Sequence, residues 1–347
     1  MLSEKQINEI RGHLDRAQNP LFYYDNDADG LCSFLIFRKF LGRGKGVAIR
    51  SYPDLNKEYA RKARELNADC VFVLDKPLIS QEFVNEVIGM GIPLVWIDHH
   101  DMDCPISEAS GLYIYNVAKN VGVDKSDEPV SYLAQKICGK KEDIWISIMG
   151  CISDHYMPDF AKEYARKYPE LWNKKAKKSF DVYFGTEIGK IALALNFGLM
   201  DSTTHIVGLQ KYLLNCSNPS EVLAESKENS SFRAKYGEIN KKYENFVRKA
   251  EENTDGKLIF FEYGGDLSIS SEIANYLNYK YPKKYIVVAF RKGNVANISA
   301  RGKNVRAILE RVLKDVKGGG GGHKDAVGAR IDLIDLGKFR QLFEEVL

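Results

Sequence analysis

The chain has 347 residues, of which 44% are hydrophobic and 28% charged, and its formal net charge at pH 7 is +3. This is the ordinary balance of a soluble globular protein that is long enough for two domains. No apolar run could span a membrane, and we expect no signal peptide. The six scattered cysteines include no CxxC pair, which argues against zinc and disulfides and favours a cytoplasmic protein.

Apolar runs of strand length alternate with helix-like stretches in the first part of the chain. The runs are Leu21–Tyr24, Val47–Ser51, Cys70–Leu74, Pro93–Ile97 and Leu112–Tyr115. The helix-like stretches are Leu31–Leu41, Glu58–Leu66, Gln81–Gly89, Val130–Cys138 and Asp143–Asp154. This alternation predicts an α/β fold with a mostly parallel sheet flanked by helices. Ligands of such a sheet bind beyond the carboxyl ends of its strands.

The remainder of the chain predicts a helical connector and a second α/β domain. Residues 161–255 read as mainly helical and are markedly basic over Lys162–Lys178. From Lys257 onward we expect strands at Leu258–Glu262, Tyr285–Phe290 and Ala296–Ser299 and helices at Ser271–Lys280 and Val305–Val316. The predicted domains are therefore 1–160, a connecting region at 161–255, and a smaller domain at 256–347.

Charge is unevenly distributed along the chain. The stretch Lys284–Lys317 carries nine Lys and Arg residues against Glu310 and Asp315, a local charge of +7, which leaves about −4 for the rest. This asymmetry indicates an anionic partner for the C-terminal part, and a solvated basic face is the alternative.

Three carboxylates follow the first predicted strand at alternate positions. Asp25, Asp27 and Asp29 come directly after Leu21–Tyr24. Alternate residues of a strand point to one face, so the three side chains can converge. Crowded carboxylates repel one another unless a cation is present, and oxygen ligands of this kind suit Mg²⁺ or Mn²⁺. A solvated acidic turn is the alternative.

Further acids and imidazoles are expected at the same sheet edge. Asp75 follows one strand, Asp98-His99-His100 follow another, and Asp154 lies near the end of an apolar helix that we take to point its C-terminal end toward that edge. The edge then offers enough ligands for two divalent cations that share a bridging carboxylate and act on a phosphoryl group. The candidate ligands are Asp25, Asp27, Asp29, Asp75, His99 and Asp154.

A glycine run near the C-terminus is a candidate anion site. Gly318–Gly322 precede His323 inside the second α/β pattern, where glycine backbone N–H groups could approach an anion closely. Arg301 could add a bidentate phosphate contact. A flexible linker and a plain surface arginine are the alternatives.

Together these motifs resemble the DHH-family phosphoesterases with a DHH-associated C-terminal domain, the superfamily of RecJ exonucleases and nano-RNases. The resemblance covers nearly the whole chain. The matching motifs, in chain order, are Asp27-Ala28-Asp29-Gly30, Asp75, Asp98-His99-His100, Asp154, and Gly320-Gly321-Gly322-His323 with Ala326 and Gly328.

The resemblance implies a role for each matching residue. Asp27, Asp29, Asp75, His99 and Asp154 would be metal ligands, with Asp75 bridging two Mn²⁺ ions, although Mg²⁺ stays open. His100 would contact the scissile phosphate and Asp98 would orient the histidines. Arg301 and a turn formed by Gly320, Gly321, Gly322 and His323 would hold the terminal nucleotide.

The chain departs from nano-RNase-like members at one position. Those members have a histidine where this chain has Tyr23, whereas RecJ-like members have an acid at the position of Asp25. Whether Asp25 replaces the missing histidine as a ligand stays open at this point.

The expected function is metal-dependent hydrolysis of phosphodiester bonds. The first expectation is an exonuclease on single-stranded or short RNA or DNA. One alternative is a phosphodiesterase or phosphatase for a cyclic dinucleotide or a 3′,5′-bisphosphonucleoside, and another is a non-catalytic scaffold associated with replication. An oligonucleotide or a small nucleotide is the expected partner, no membrane is expected, and both a monomer and a homodimer stay open.

Overall fold

The chain divides into two compact units, Met1–Tyr236 and Gly237–Leu347. The computed structural model describes residues 1–50, 54–101, 104–119 and 127–347. Within those ranges we find no helix that is long and apolar enough to cross a membrane.

The first unit is built on a parallel sheet of five strands in the order β2-β1-β4-β6-β7, beside a short parallel pair, β3 and β5. Its strands are β1 (Pro20–Asp25), β2 (Lys45–Ile49), β3 (Asp54–Leu55), β4 (Cys70–Leu74), β5 (Leu78–Ile79), β6 (Leu94–Asp98) and β7 (Leu112–Asn116).

Ten helices lie in the first unit, and an eleventh crosses the boundary between the units. In the described ranges they are α1 (Glu4–Arg16), α2 (Ala28–Leu41), α3 (Ala60–Glu65), α4 (Gln81–Gly89), α5 (Val130–Cys138), α6 (Ile144–Ser153), α7 (Ala161–Lys167), α8 (Ser179–Gly185), α9 (Glu187–Gly198), α10 (Thr203–Asn215) and α11 (Ser230–Glu251).

Helices cover both faces of the five-stranded sheet. Alternate residues of β1 point to opposite faces, so each face contributes side chains to a separate core. Phe22 and Tyr24 stack on Phe34 and Phe37 of α2. Tyr23 lies on the other face, in a core formed with α3 and α4, and its hydroxyl donates to the Tyr59 carbonyl at 2.6 Å. A sheet that is buried on both faces requires continuous apolar strands, as these are.

The second unit has a mixed sheet in the order β11-β12-β10-β9-β8, in which only β8 and β9 run parallel among the described pairs. Its elements are β8 (Leu258–Gly264), α12 (Ser270–Lys280), β9 (Tyr285–Lys292), β10 (Val295–Arg301), α13 (Val305–Val312), β11 (Gly318–His323), β12 (Ala326–Asp332) and α14 (Leu336–Val346).

The predicted fold class is confirmed, with two corrections. The glycines at 318–322 form neither a linker nor a turn: they are the edge strand β11, because their backbone pairs with β12 along its length. The helix expected over Val305–Val316 ends at Val312. Ser51, the last residue of one predicted strand, lies outside the described residues. The division of the chain into three parts at 160 and 255 stays a prediction.

Candidate active site

The carboxyl ends of β1, β4 and β6 and the C-terminal end of α6 meet at one edge of the first sheet. The Nε2 atom of His99 lies 3.2 Å from Oδ1 of Asp75 and 3.3 Å from Oδ2 of Asp154. Ligand atoms of Asp75, His99 and His100 all lie within 4.8 Å of one another. The predicted convergence of these groups is therefore observed, and Asp154, which caps α6, does reach the edge.

Asp75 lies at the centre of this group and has an unusual backbone. Its φ of 58° is in the left-handed region, which non-glycine residues other than Asn and Asp seldom adopt. Its N–H donates to the Ile97 carbonyl of β6 at 3.0 Å, which fixes the chain as it leaves β4. The left-handed turn therefore directs the chain toward β6 without the strain that most other side chains would bring.

The acidic loop after β1 is held by the N-terminus of α2. Asp27 is the N-cap of α2, and its carboxylate accepts from the Gly30 N–H at 2.9 Å. A side chain at position 30 would place its Cβ 2.5 Å from the Asp25 carbonyl oxygen, so only glycine fits there. The tight turn therefore depends on Gly30 as well as on the acids.

Asp29 is buried, and both of its oxygens accept from the first turn of α5. Oδ2 accepts from the Val130 N–H at 2.8 Å, and Oδ1 accepts from the N–H and the hydroxyl of Ser131. Gly150 of α6 makes room for this contact, because a Cβ there would lie 2.3 Å from the Ser131 hydroxyl oxygen and 3.1 Å from Oδ1 of Asp29. Three bonds to a carboxylate with about four lone-pair sites leave capacity for one further ligand on Oδ2.

Burial and mutual repulsion make the charged form of these acids unfavourable without a cation. Burial, followed by the charges of Asp25, Asp29 and Asp154, raises the pKa of Asp27 to about 8. The pKa values of Asp29 and Asp75 are also raised, first by burial and then by neighbouring carboxylates. Such a group of acids is stable in its charged form only with bound cations.

Two buried polar atoms at the centre of the site support the same conclusion. Among the described residues no hydrogen bond reaches Oδ1 of Asp75 or Nε2 of His99, although the two atoms are neighbours. Buried polar atoms without partners are rare and call for an explanation. An oxygen and an imidazole nitrogen aimed at one point are a donor set that suits Mn²⁺ or Mg²⁺ with mixed ligands.

His100 is held as a cation by Asp98. Nδ1 of His100 lies 2.9 Å from Oδ1 of Asp98, and the His100 N–H donates to Oδ2 at 3.0 Å. Burial alone would lower the pKa of His100, but the bond to Asp98 and the charges of Asp98, Asp154 and Asp27 raise it to about 9. Asn116 of β7 also donates to Asp98, which fixes the carboxylate from a second side.

Three residues that contact the site were missed by sequence reasoning. Ser131 binds Asp29 and Asn116 binds Asp98, and Nζ of the fully buried Lys76 lies 2.9 Å from Oδ1 of Asp25. A Ser near a helix start and an Asn at a strand end are common caps and turns, so neither is distinctive in sequence. Tyr23, the position that sequence analysis noted as a departure from nano-RNase-like members, contributes to the core and not to the site.

In the second unit, Arg301 is largely fixed by neighbours. Its Nε donates to Oδ1 of Asn275 at 2.6 Å, and Nη1 donates to the carbonyls of Ala300 and Val327 at 2.9 and 3.3 Å. Burial lowers its pKa to about 10, partly offset by Glu272, and it therefore stays charged at neutral pH.

The sheet register aligns Arg301 with the end of the glycine strand. Arg301 pairs with Ala326 of β12, and Ala326 pairs with His323 of β11. Arg301 and His323 are thus two strands apart, about 10 Å between backbones. Gly321 faces open space, whereas a Cβ at Gly320 would lie 2.5 Å from the Gly328 carbonyl oxygen. Of the predicted substrate-binding residues, Arg301 and His323 therefore share one end of this sheet, and Gly320 lies three positions further along β11.

Both units are similar to known proteins. The sequence model of the DHHA1 domain matches residues 255–347. RecJ from Thermus thermophilus, solved with Mn²⁺, aligns with a TM-score of 0.66 and 14% identity over 99% of this chain and 54% of RecJ. The chain thus spans about half the length of that relative. No curated protein matches the chain.

Two further structures align over most of their own length. An exonuclease RecJ bound to manganese has a TM-score of 0.62 and 16% identity, over 99% of this chain and 93% of that one. A pGpG-specific phosphodiesterase from Vibrio cholerae has a TM-score of 0.52 and 11% identity, over 95% and 99%. The predicted resemblance is confirmed: the chain has the fold of the DHH-family phosphoesterases, and its second unit contains a DHHA1 domain.

Proposed function

We propose that the chain is a metal-dependent phosphodiester hydrolase that degrades single-stranded or short RNA or DNA from one end. The observation that carries this proposal is that Nε2 of His99 lies within 3.3 Å of carboxylate oxygens of both Asp75 and Asp154 at the edge of a parallel sheet, beside the acidic loop that follows β1. The DHH-type fold and the DHHA1 domain support the same class of reaction.

The residues at the sheet edge would hold two divalent ions, for which Mn²⁺ is our first choice and Mg²⁺ the second. The proposed ligands are Asp25, Asp27, Asp29, Asp75, His99 and Asp154. Bound there, the ions would polarise the phosphoryl group and lower the pKa of the attacking water. The raised pKa of Asp27, and the buried Oδ1 of Asp75 and Nε2 of His99, which form no hydrogen bond among the described residues, support cation binding at this edge.

His100 would stabilise negative charge that develops on a non-bridging phosphate oxygen. With a pKa near 9 it is an imidazolium at neutral pH, and Asp98 fixes its Nδ1, which leaves Nε2 as the donor. A preorganised cationic donor is worth most in the transition state, where that charge is largest. Asp98 acts through His100 and is a positioning residue.

Arg301 and the glycine strand would bind the nucleotide end of the substrate. Arg301 supplies a charged guanidinium that its neighbours hold in place. The exposed backbone of Gly320, Gly321 and Gly322, followed by His323, permits close approach of a phosphate or sugar. The local charge of +7 over 284–317 supports an anionic ligand.

A small nucleotide is the second candidate substrate. The likeness to the pGpG-specific phosphodiesterase extends over 95% of this chain and 99% of that one. A non-catalytic scaffold is disfavoured, because a scaffold has no use for buried carboxylates that repel one another.

One assay distinguishes these candidates. End-labelled RNA and DNA ladders, pGpG and cyclic dinucleotides are incubated with the protein in Mn²⁺, in Mg²⁺ and in chelator. We expect stepwise shortening from one end of the ladders in metal and none in chelator. Turnover of dinucleotides alone would select the second candidate, and no hydrolysis of any substrate in either metal would refute the proposed activity.

A further inference from the structure

A buried lysine lies against the acidic cluster. The Lys76 side chain is fully buried, and its Nζ lies 2.9 Å from Oδ1 of Asp25, whose side chain is 23% exposed. Burying an ammonium group costs several kcal/mol unless it is paired with a negative group. Lys76 therefore has a role other than filling space, since an aliphatic side chain would fill the same space without this cost.

The local backbone directs this lysine to the end of β1. The left-handed conformation of Asp75 turns the chain sharply after β4. The indole N–H of Trp96 then donates to the Lys76 carbonyl at 2.9 Å and fixes the next peptide. Two specific backbone features thus place Lys76 beside a candidate metal ligand.

The charges at the site show what Lys76 contributes. Asp98 is balanced by His100, which leaves five carboxylates as candidate ligands: Asp25, Asp27, Asp29, Asp75 and Asp154. One ammonium group reduces their formal charge from −5 to −4. Two divalent cations neutralise that remaining charge, and Oδ2 of Asp25 is left available as a ligand.

We infer that Lys76 serves as a built-in cation: it binds Oδ1 of Asp25, offsets part of the negative charge of the cluster, and stabilises the metal-free protein. This inference rests on the proposed metal-dependent function. Because Lys76 is fully buried, it acts through Asp25 and does not contact the substrate.

The test is a double-mutant cycle in chelator, with Lys76→Met, Asp25→Asn and the double variant. Asp25→Asn leaves the buried ammonium group without its partner, Lys76→Met leaves the carboxylate beside other acids without its cation, and each change should lower Tm by roughly 5–10 °C. The double variant removes both charges, so its Tm should recover at least half of the larger single loss. Effects of the two changes that simply add would overturn the inference.

Mn²⁺ binding, measured by calorimetry on the same proteins, separates this role from packing. Without the ammonium group the cluster is more negative, so Lys76→Met should bind Mn²⁺ about tenfold more tightly. The matched control is Lys39→Met, which breaks a largely buried pair with Asp143 at 3.0 Å in a different part of the unit. It should lose stability without a change in Mn²⁺ affinity, and an unchanged affinity for Lys76→Met would also overturn the inference.

The experiment separates failure of the inference about Lys76 from failure of the proposed metal-dependent function. If the wild-type protein binds no Mn²⁺, the metal-dependent function fails, while the cycle in chelator still decides whether Lys76 stabilises Asp25. If Lys76→Met does not accumulate as folded protein, Lys76→Gln replaces it and is judged by the same criteria, because its amide can donate to Asp25 without carrying charge.

Discussion

Asp75 is the residue on which most of the site geometry depends. It lies in the left-handed region, where asparagine is tolerated and alanine is strained, so Asp75→Asn is a cleaner variant than Asp75→Ala. We expect Asp75→Asn to abolish turnover and weaken Mn²⁺ binding by at least tenfold, measured by calorimetry. In chelator its Tm should equal or exceed that of the wild type, because a buried repelling charge is gone. Wild-type Mn²⁺ affinity in this variant would refute the two-metal site.

Asp25 is the residue whose role the sequence left open. If it is a ligand, Asp25→Asn should raise the Mn²⁺ concentration needed for half-maximal activity about tenfold, since one carboxylate is lost while the Lys76 charge remains. Tyr23→Phe is the matched control, because that hydroxyl binds the Tyr59 carbonyl in the core. It should leave the metal requirement unchanged. Identical Mn²⁺ titrations for wild type and Asp25→Asn would exclude Asp25 as a ligand.

The raised pKa values predict how stability in chelator depends on pH. Asp27, with a pKa near 8, binds its proton more tightly in the folded than in the unfolded state, so stability falls as pH rises from about 4 to 8. His100, with a pKa near 9, contributes stability below pH 6.5 that is lost as pH rises through 9. Both effects have the same sign. Tm in chelator should therefore be higher at pH 6 than at pH 8.5, as scanning calorimetry can measure.

Saturating Mn²⁺ provides the control for this pH dependence. Metal binding requires deprotonated carboxylates, so the Tm gain from Mn²⁺ should grow between pH 6 and pH 8. Asp27→Asn should flatten the profile in chelator. A Tm in chelator that rises with pH over this range would contradict the assigned shifts.

At the residue scale, sequence reasoning predicted which side chains converge at the sheet edge but not the residues that support them. The convergence of Asp75 and His99 was predictable because strand ends of a parallel sheet meet at one edge, and that of Asp154 followed from the assumption that its helix points its C-terminal end toward that edge. Lys76 was not predictable, because a lysine after a strand is usually solvated and nothing in the sequence reports its burial. The contact depends on the turn at Asp75, which is a tertiary feature.

At the scale of elements, the packing of α6 on α5 positions Asp29. A Cβ at Gly150 would lie 2.3 Å from the Ser131 hydroxyl oxygen, so Gly150→Ala should force α6 and α5 apart and displace Asp29. Overpacking of this kind costs about 1–3 kcal/mol. We expect a lower Tm and weaker Mn²⁺ binding, measured by calorimetry.

Gly89→Ala in α4 is the control for this variant, because a Cβ there meets no atom within 4 Å. Its Tm should be unchanged or slightly raised, since alanine favours helix. Equal behaviour of the two variants would show that Gly150 does not support Asp29.

Two glycines of the strand β11, Gly320 and Gly321, are expected to be required for different reasons. At Gly320 a Cβ would lie 2.5 Å from the Gly328 carbonyl oxygen, so Gly320→Ala should lower stability by disturbing β12. At Gly321 a Cβ meets no atom of the described protein within 4 Å. Gly321→Ala should therefore keep the wild-type Tm but bind an oligonucleotide about tenfold more weakly, by fluorescence anisotropy. Normal binding by a normally folded Gly321→Ala would remove the glycine strand from the proposed ligand site.

The glycine segment also shows where the prediction of secondary structure from sequence patterns fails. Glycine is depleted in strands, and a run of five favours a loop. The segment becomes a strand because β12 offers a full row of backbone partners, a pairing set by the tertiary fold. The long apolar strands of the first unit carried a strong local signal and were predicted to within a few residues.

At the scale of the whole molecule, the distribution of charge predicts how binding depends on salt. Each phosphate contact to a single strand contributes roughly −0.7 to the slope of log K against log salt. If Arg301 makes such a contact, Arg301→Ala should weaken oligonucleotide binding and flatten the slope by about 0.7, with Mn²⁺ content unchanged. Arg301→Lys should recover the slope but not the affinity, because lysine lacks the planar fork.

Arg340→Ala is the matched control for net charge, because Arg340 is exposed on α14 and pairs with Glu344 at 2.9 Å. It should leave both affinity and slope unchanged. The slope for long strands should exceed that for a dinucleotide only if the basic stretches at 162–178 and 284–317 also contact the strand. A shallow slope at every length, with faster turnover of dinucleotides than of long oligomers, would assign the protein to small nucleotides instead of polynucleotides.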